Sequence, residues 1–158
     1  MASRKKATKK PTDAIALLKQ DHEKVRGLLG QLEKSSGARH EKLLTQVEQE
    51  LKVHTQIEEE IFYPAYRDAA RKKSDQKLYF EALEEHHVVD LVVPEASDGD
   101  STEELQAKAK VLKDLVEHHA GEEEKQMFPR ARKMIDKEQL RDLGERMQMR
   151  KEELSKSG

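Results

Sequence analysis

The strongest constraint on the fold of this chain is a repeat in which two helical patterns occur twice, in the same order. In the first pattern, apolar residues alternate three and four apart and a histidine takes one apolar position, at His22 and again at His86. In the second pattern a glutamate follows a histidine at the fourth position, after His54 and again after His119. Spacings of three and four keep side chains on one face of a helix. The repeat therefore predicts two helical hairpins related by a pseudo-twofold axis.

Turn-forming residues divide the chain into five predicted helices. Ser-Ser-Gly ends the first helix and Ser-Asp-Gly-Asp ends the third, while Pro64 is expected to kink the second. The predicted helices cover residues 13–34, 39–73, 75–96, 101–134 and, for a shorter fifth helix, 136–153. We therefore predict an all-α fold, in which an up-and-down antiparallel four-helix bundle at residues 13–134 is followed by a C-terminal helix and polar tail at 135–158.

Composition narrows the class of protein. Only 35% of the 158 residues are hydrophobic, which is enough for a bundle because each helix needs one apolar stripe. There is no cysteine, so disulfides and thiolate metal sites are excluded. No apolar run approaches the roughly 18 residues of a membrane span, and the basic N-terminus lacks the apolar segment of a secretory signal. We expect a cytoplasmic protein that is a monomer or a weak dimer and does not bind membranes.

Residues 1–12 are a separate basic segment, with Lys or Arg at five of the first ten positions. We expect this segment to be a disordered, solubilising tail, with contact to an acidic partner or nucleic acid as the alternative. The chain as a whole does not favour nucleic acid, because its net charge is -2 and aromatic residues make up only 4%.

The polar residues on the apolar stripes predict a metal site. A carboxylate in a bundle core costs several kcal/mol unless it is compensated, so Glu58 and Glu123 need partners. A histidine and a glutamate four apart lie side by side on a helix and can bind one ion together. The predicted ligands are His22, His54, Glu58, His86, His119 and Glu123. A carboxylate from each half can bridge two ions, so that each ion contacts two histidines, and imidazole with carboxylate suits iron, manganese or zinc.

Neighbouring histidines leave two of these assignments open. His87 stands beside His86, but the stripe through His87 is less apolar. His118 could pair with Glu122, although the repeat favours His119 with Glu123. We expect His87 and His118 to lie around the site or at its rim, and His40, near a helix start, to lie at the surface.

The combined motifs resemble the cation-binding domain of the haemerythrin family. The resemblance covers roughly residues 13–134. It is carried by Asp21-His22, His54-x3-Glu58-Glu59, Glu85-His86 and His119-x3-Glu123-Glu124, with an aromatic residue and proline after each His-x3-Glu. It implies a four-helix bundle with an oxo- or hydroxo-bridged pair of irons. The four histidines would be ligands and the two glutamates bridges, with manganese or zinc as less favoured metals.

The chain departs from the oxygen carriers of that family at one ligand position. Those proteins have a fifth histidine one turn after the ligand of the third helix, where this chain has Asp90, and their second bridging carboxylate comes one residue later than Glu123. Asp90 could bind metal, orient His86 or face solvent. The difference argues against reversible oxygen carriage. The resemblance then implies a di-iron protein that binds oxygen, nitric oxide or peroxide for sensing, stress response or iron handling.

Other functional classes remain as alternatives. An enzyme that disproportionates hydrogen peroxide, like a catalase, is the first, and repair of iron–sulfur centres is the second. A ferritin-like site would use Glu-x-x-His, which occurs only at Glu84 and His87, off the preferred stripe. A zinc protease is disfavoured because no His-Glu-x-x-His is present. A helical interaction module without metal would have to bury six polar groups with other partners.

Overall fold

The computed structural model describes residues 10–157, and these residues contain helices and no strand. The helices are α1 (Ala14–Lys34), α2 (Gly37–Ile57), α3 (Tyr63–Ala69), α4 (Lys73–Glu95), α5 (Thr102–Glu122), α6 (Phe128–Met134) and α7 (Lys137–Ser157). The basic tail predicted at residues 1–12 lies outside the described residues for its first nine positions. Residues 10–12 precede the first helix.

Side-chain caps fix the starts of two helices at the predicted residues. Asp13 Oδ1 accepts a hydrogen bond from the backbone N–H of Ala16 at 2.8 Å and begins α1. Ser101 Oγ accepts from the N–H of Glu104 at 3.1 Å and begins α5. These bonds satisfy backbone donors that a helix start would otherwise leave unpaired.

Four long helices form the predicted bundle, and α7 packs on its outside. Helix α1 packs against α2 and α5, α4 packs against α5, and α7 lies along α1 and α2. One part of the core is rich in aromatic residues such as Phe62, Tyr66 and Phe128, and the other is aliphatic, with residues such as Leu29 and Leu112. The prediction of an all-helical four-helix bundle with a C-terminal helix is confirmed. Helix α7 ends at Ser157, four residues later than expected.

A π-helical turn precedes Pro64, where a kink was expected, and a second one precedes Pro129. The turns are Glu58–Phe62 and Glu123–Met127, which join α2 to α3 and α5 to α6. In the first, the N–H of Tyr63 donates to the carbonyl of Glu58, five residues back. Proline cannot donate to the preceding turn and its ring crowds the carbonyl four residues back. The wider turn ends at Phe62, and Tyr63 and Pro64 begin the next helix. The chain thus continues as a helix.

His40, in the first turn of α2, does not lie at the surface as predicted. This histidine was expected at the surface, but only 2% of it is exposed. Its Nδ1 lies 3.0 Å from Ser35 Oγ and 3.3 Å from the Ser35 carbonyl. The turn is tight, with Gly37 at φ +60°, and α2 begins at that glycine, two residues earlier than expected. This brings His40 back over the end of α1.

Among the helices of the described residues, none is long and apolar enough to span a membrane.

Candidate metal centre

The structure brings all six predicted ligands together in the middle of the bundle, and none of them is more than 7% exposed. The ring Nε2 atoms point inward, toward the carboxylates of Glu58 and Glu123. His54 and His86 Nε2 lie 3.2 and 3.1 Å from Glu58 Oε1. The Nε2 atoms of His22 and His119 each lie 3.2 Å from Glu123 Oε1.

These donors form two groups that share a carboxylate. The first group is His22, His54, Glu58 and Glu123, and the second is Glu58, His86 and His119. Within each group, one potential ligand atom from every residue lies within 4.8 Å of the others. His119 also lies next to Glu123, so both glutamates border both histidine pairs. The arrangement matches two adjacent ion positions, which we call position one (His22 and His54) and position two (His86 and His119).

An outer ring of carboxylates holds the other nitrogen of every histidine. The Nδ1 atoms of His22, His54, His86 and His119 lie 2.8, 3.0, 3.3 and 2.9 Å from carboxylates of Glu124, Asp21, Glu59 and Glu85, respectively. Such pairing fixes the ring orientation and directs the Nε2 lone pair toward an ion. It also makes the bound imidazole a stronger donor.

The sequence analysis did not assign these outer carboxylates a role, although its motifs contained them. Each is the chain neighbour of an inner ligand: Asp21 and Glu85 precede a histidine, and Glu59 and Glu124 follow a glutamate. They obey the same repeat as the inner ligands. The repeat of these acidic neighbours was therefore a signal in the sequence. They do not lie on the apolar stripes, from which the ligands were predicted.

Tyr63 is the second group that sequence analysis missed. Its hydroxyl donates to Glu123 Oε2 at 3.1 Å and lies 3.1 Å from His86 Nε2 and 3.4 Å from His119 Nε2. The side chain is fully buried. Burial and the charge of Glu123 raise the pKa of the phenol well above its usual value, so the hydroxyl stays protonated. Position two therefore includes a buried hydrogen-bond donor, and the repeat places Phe128 at the corresponding site.

The carboxylates of the cluster concentrate negative charge in the core, and positive charges must balance it. Burial disfavours the charged form of His54, but the carboxylates of Glu58 and Asp21 outweigh it and raise its pKa to about 10. Burial also opposes a charged Glu58, yet the nearby His54 and hydrogen bonds hold the pKa of Glu58 well below its usual value. Protonated histidines thus balance the carboxylates when no ion is bound.

Two buried atoms within the cluster lack a hydrogen-bond partner, which tests whether the site fits a metal. They are Glu58 Oε2 and His54 Nε2, whose 3.2 Å contact with Glu58 Oε1 lacks the geometry of a hydrogen bond. Unpartnered buried polar atoms cost free energy, and natural proteins leave few of them. Both atoms belong to the inner group and are donors that iron, manganese or zinc accept. The residues present therefore fit a pair of metal ions.

The neighbouring acidic and histidine residues lie outside the cluster. His87 and Asp90 are exposed on α4. His118 is 68% exposed at the side chain, with Nε2 3.2 Å from Glu85, so it lies at the rim as expected. Asp90 and Glu59 both line an open groove between α2 and α4. In each adjacent pair of histidines, the one that the repeat favours is thus the buried one: His86 rather than His87, and His119 rather than His118.

The sequence of this chain matches a known domain family. Residues 13–154 match the family described as "Hemerythrin HHE cation binding domain". This chain belongs to that family. The matched region includes most of α7, so it extends beyond the four bundle helices that carried the resemblance in the sequence.

Two individual proteins are similar to this haemerythrin-like chain. The crystal structure of a hemerythrin HHE cation-binding domain-containing protein from Mycobacterium kansasii has a TM-score of 0.80 and 28% identity, covering 92% of this chain and 88% of that one. A DNA nickase from Nostoc sp. is 27% identical over 124 residues, which are 78% of this chain and 34% of the nickase. The chain thus spans about one third of the length of that nickase.

Proposed function

We propose that this haemerythrin-like domain holds two non-haem irons and uses them to bind a small ligand, namely oxygen, nitric oxide or peroxide, in sensing, stress response or iron handling. The observation that carries the proposal is the pair of donor groups that share Glu58, each with two inward-pointing imidazoles. The domain would act within the cytoplasm.

The donor set accepts iron and leaves room for a ligand. With two imidazoles and two carboxylates available, each ion would receive four protein donors, fewer than the six of an octahedral site. When bound, the iron pair supplies reversible one-electron chemistry and open coordination positions. Buried apolar side chains next to the cluster, such as Phe128, which stacks on His22 with ring centroids 5.9 Å apart, exclude bulk water.

The residues of the chain have separable roles in this proposal. Glu58 and Glu123 would hold both ions, and the outer carboxylates keep each imidazole oriented. The hydroxyl of Tyr63, held by Glu123, is a hydrogen-bond donor inside the cluster. It can donate a hydrogen bond to a small anionic ligand without admitting water.

Metal analysis of matched histidine variants tests the proposal. The aerobically purified protein is expected to contain about two irons per chain and to absorb in the near ultraviolet. His119→Ala removes an inner donor and should lower iron content to about one or fewer per chain. His118→Ala changes the adjacent, exposed histidine and should leave the content at two.

Two results would contradict the proposal. One is a wild-type protein that contains no iron and takes up none from ferrous salt in the absence of oxygen. The other is equal iron content in the His118→Ala and His119→Ala proteins. If both iron binding and the spectrum follow His119, changes in the spectrum on addition of oxygen, nitric oxide or peroxide then identify the ligand.

A further inference from the structure

The outer carboxylates of the two ion positions differ in the charges that surround them. At position one, both are paired with a lysine or arginine. Glu124 accepts two hydrogen bonds from the guanidinium of Arg26, each 3.1 Å long, while its Oε2 also holds His22. Asp21, only 3% exposed, forms an ion pair with Lys151 of α7 while its other oxygen holds His54.

At position two, no lysine or arginine of the described residues lies within ion-pair distance of the outer carboxylates. Glu59, which holds His86, has a side chain that is 45% exposed. Glu85, which holds His119, has a second contact only with the exposed His118. The repeat locates this difference in charge at one pair of equivalent residues. The alignment of the two halves that matches His22 to His86 also matches Arg26 to Asp90. Asp90 lines the same groove as Glu59 and adds a negative charge there. The groove also contains Lys52, but its acidic residues outnumber that lysine.

The C-terminal helix extends this asymmetry. Helix α7 packs along α1 and α2, so it brings Lys151 to the first hairpin. In the described residues, no corresponding helix covers α4 and α5. The side chain of Lys151 is 26% exposed and that of Asp21 is 4% exposed, so the ion pair is only weakly screened by solvent.

We propose that Arg26 and Lys151 are positioning residues that make position one the more easily reduced of the two iron positions. The inference rests on the proposed iron pair. A carboxylate that accepts from Nδ1 strengthens the imidazole as a donor and favours the higher oxidation state. Neutralising that carboxylate with a cation weakens the effect. At position one, Lys151 neutralises Asp21. Arg26 also pairs with Glu23 and Glu117, so it offsets only part of the charge of Glu124. Position two keeps its negative charges, so the first electron from a one-electron reductant enters position one.

The two ions would therefore have different oxidation states after one electron is added. In the half-reduced protein, the ferrous ion would be held by His22 and His54 and the ferric ion by His86 and His119. The ferric ion is then the one beside Tyr63, the buried hydrogen-bond donor. The open groove between α2 and α4 borders this same position through Glu59.

Two charge changes with opposite targets test the assignment in the iron-loaded full-length protein. The two one-electron potentials are measured by reductive titration with optical and electron paramagnetic resonance detection. Lys151→Met exposes position one to the charge of Asp21 and should shift the first reduction equilibrium by about tenfold, lowering that potential by about 59 mV. Asp90→Arg supplies the missing cation at position two and should favour the second reduction by about threefold, less because this residue is exposed. Both variants therefore narrow the separation between the two potentials.

Matched controls separate electrostatic from structural effects. Lys113→Met removes an ion pair with Glu33, near the far end of α1, without touching an outer carboxylate, and it should leave both potentials unchanged. Glu95→Arg makes the same change of charge as Asp90→Arg, farther along α4, and should have a smaller effect. Asp90 and Glu95 are both exposed, so the variants should fold.

The sign of the change decides the outcome. If position two accepts the first electron, both Lys151→Met and Asp90→Arg widen the separation, and the proposal is wrong. Unchanged potentials in both variants, with two irons bound, also overturn it while leaving the proposed function intact. A wild-type protein that does not bind two irons removes the proposed function itself, and the inference with it.

Discussion

At the scale of single residues, the buried polar groups of the cluster depend on one another for hydrogen bonds. Tyr63 shows this most clearly, because its hydroxyl is the donor to Glu123 Oε2 in the metal-free arrangement. A buried carboxylate oxygen that loses its donor retains its desolvation cost without compensation.

Replacing Tyr63 by phenylalanine should therefore destabilise the metal-free protein by about 1–3 kcal/mol. Tyr79→Phe is the matched control, since Tyr79 is only partly buried and its hydroxyl makes no hydrogen bond within the described chain. Urea unfolding of both chelator-treated variants measures the difference. Equal unfolding midpoints for the two variants would show that the Tyr63 hydroxyl does not support Glu123.

The inner donors were predictable from the sequence because they interrupt apolar stripes. His22, His54 and Glu58 each occupy a position where a bundle needs an aliphatic side chain, and the repeat gives every one a counterpart. The outer carboxylates interrupt no stripe. Whether Glu59 reaches His86 depends on how α2 and α4 are rotated and spaced, and single-helix periodicity does not contain that information.

At the scale of helices, the bounds were predictable to within a few residues except at the end of α2. In an ideal α-helix the apolar stripe through Glu58 would continue to Ile61 and Ala65, but Ala65 is only partly buried. Instead, the inward side chains after Ile61 are Phe62, Tyr63 and Tyr66, all fully buried. The π-helical turn rotates the following helix relative to an ideal α-helix, and this rotation is what brings Tyr63 to the cluster.

The contact between α1 and α7 is tight enough to require glycine at position 144. A Cβ atom there would lie 2.7 Å from backbone atoms of Asp13 and Ala14, which cannot rotate away. This close approach lets α7 bury Leu140, Leu143 and Met147 against the bundle.

Gly144→Ala should consequently destabilise the protein by about 1–3 kcal/mol, because overpacking outweighs the gain in helix propensity. Gly27→Ala is the control, since its Cβ would meet nothing within 4 Å and alanine should stabilise the helix by about 0.5–1 kcal/mol. Thermal unfolding compares the two proteins. A Gly144→Ala variant as stable as Gly27→Ala would mean that α7 can shift without cost.

At the scale of the whole molecule, a nearly symmetric bundle has an asymmetric exterior. The repeat specifies two equivalent hairpins, and the inner ligands obey it closely. Helix α7 covers the first hairpin, whereas α4 exposes large apolar side chains, including Phe80 at 55% and Leu91 at 59%. The two equivalent hairpins could be predicted because their sequence pattern occurs twice. The side of the bundle on which α7 packs depends on contacts that occur once, such as the one at Gly144.

The charge balance of the core makes the stability of the whole protein depend on both pH and metal. Without metal, His54 is protonated in the folded state up to a pKa of about 10, compared with about 6.5 when unfolded. Because the folded pKa is the higher one, this stabilisation is fully present below about pH 6.5 and is lost as pH rises through about 10. The raised pKa of His119 acts in the same direction.

The chelator-treated protein should therefore lose at least about 1 kcal/mol between pH 6.5 and 9.5, a fall of about 2–4 °C in Tm. The iron-loaded protein should behave differently, because metal binding requires neutral histidines and grows stronger as they lose protons. The difference in Tm between the two forms should thus widen with rising pH, as thermal scans across that range would measure. A metal-free protein whose stability stays constant over this range would show that His54 and His119 carry no balancing charge. If the Tm of the two forms instead changed in parallel with pH, metal binding would not depend on the protonation of His54 and His119.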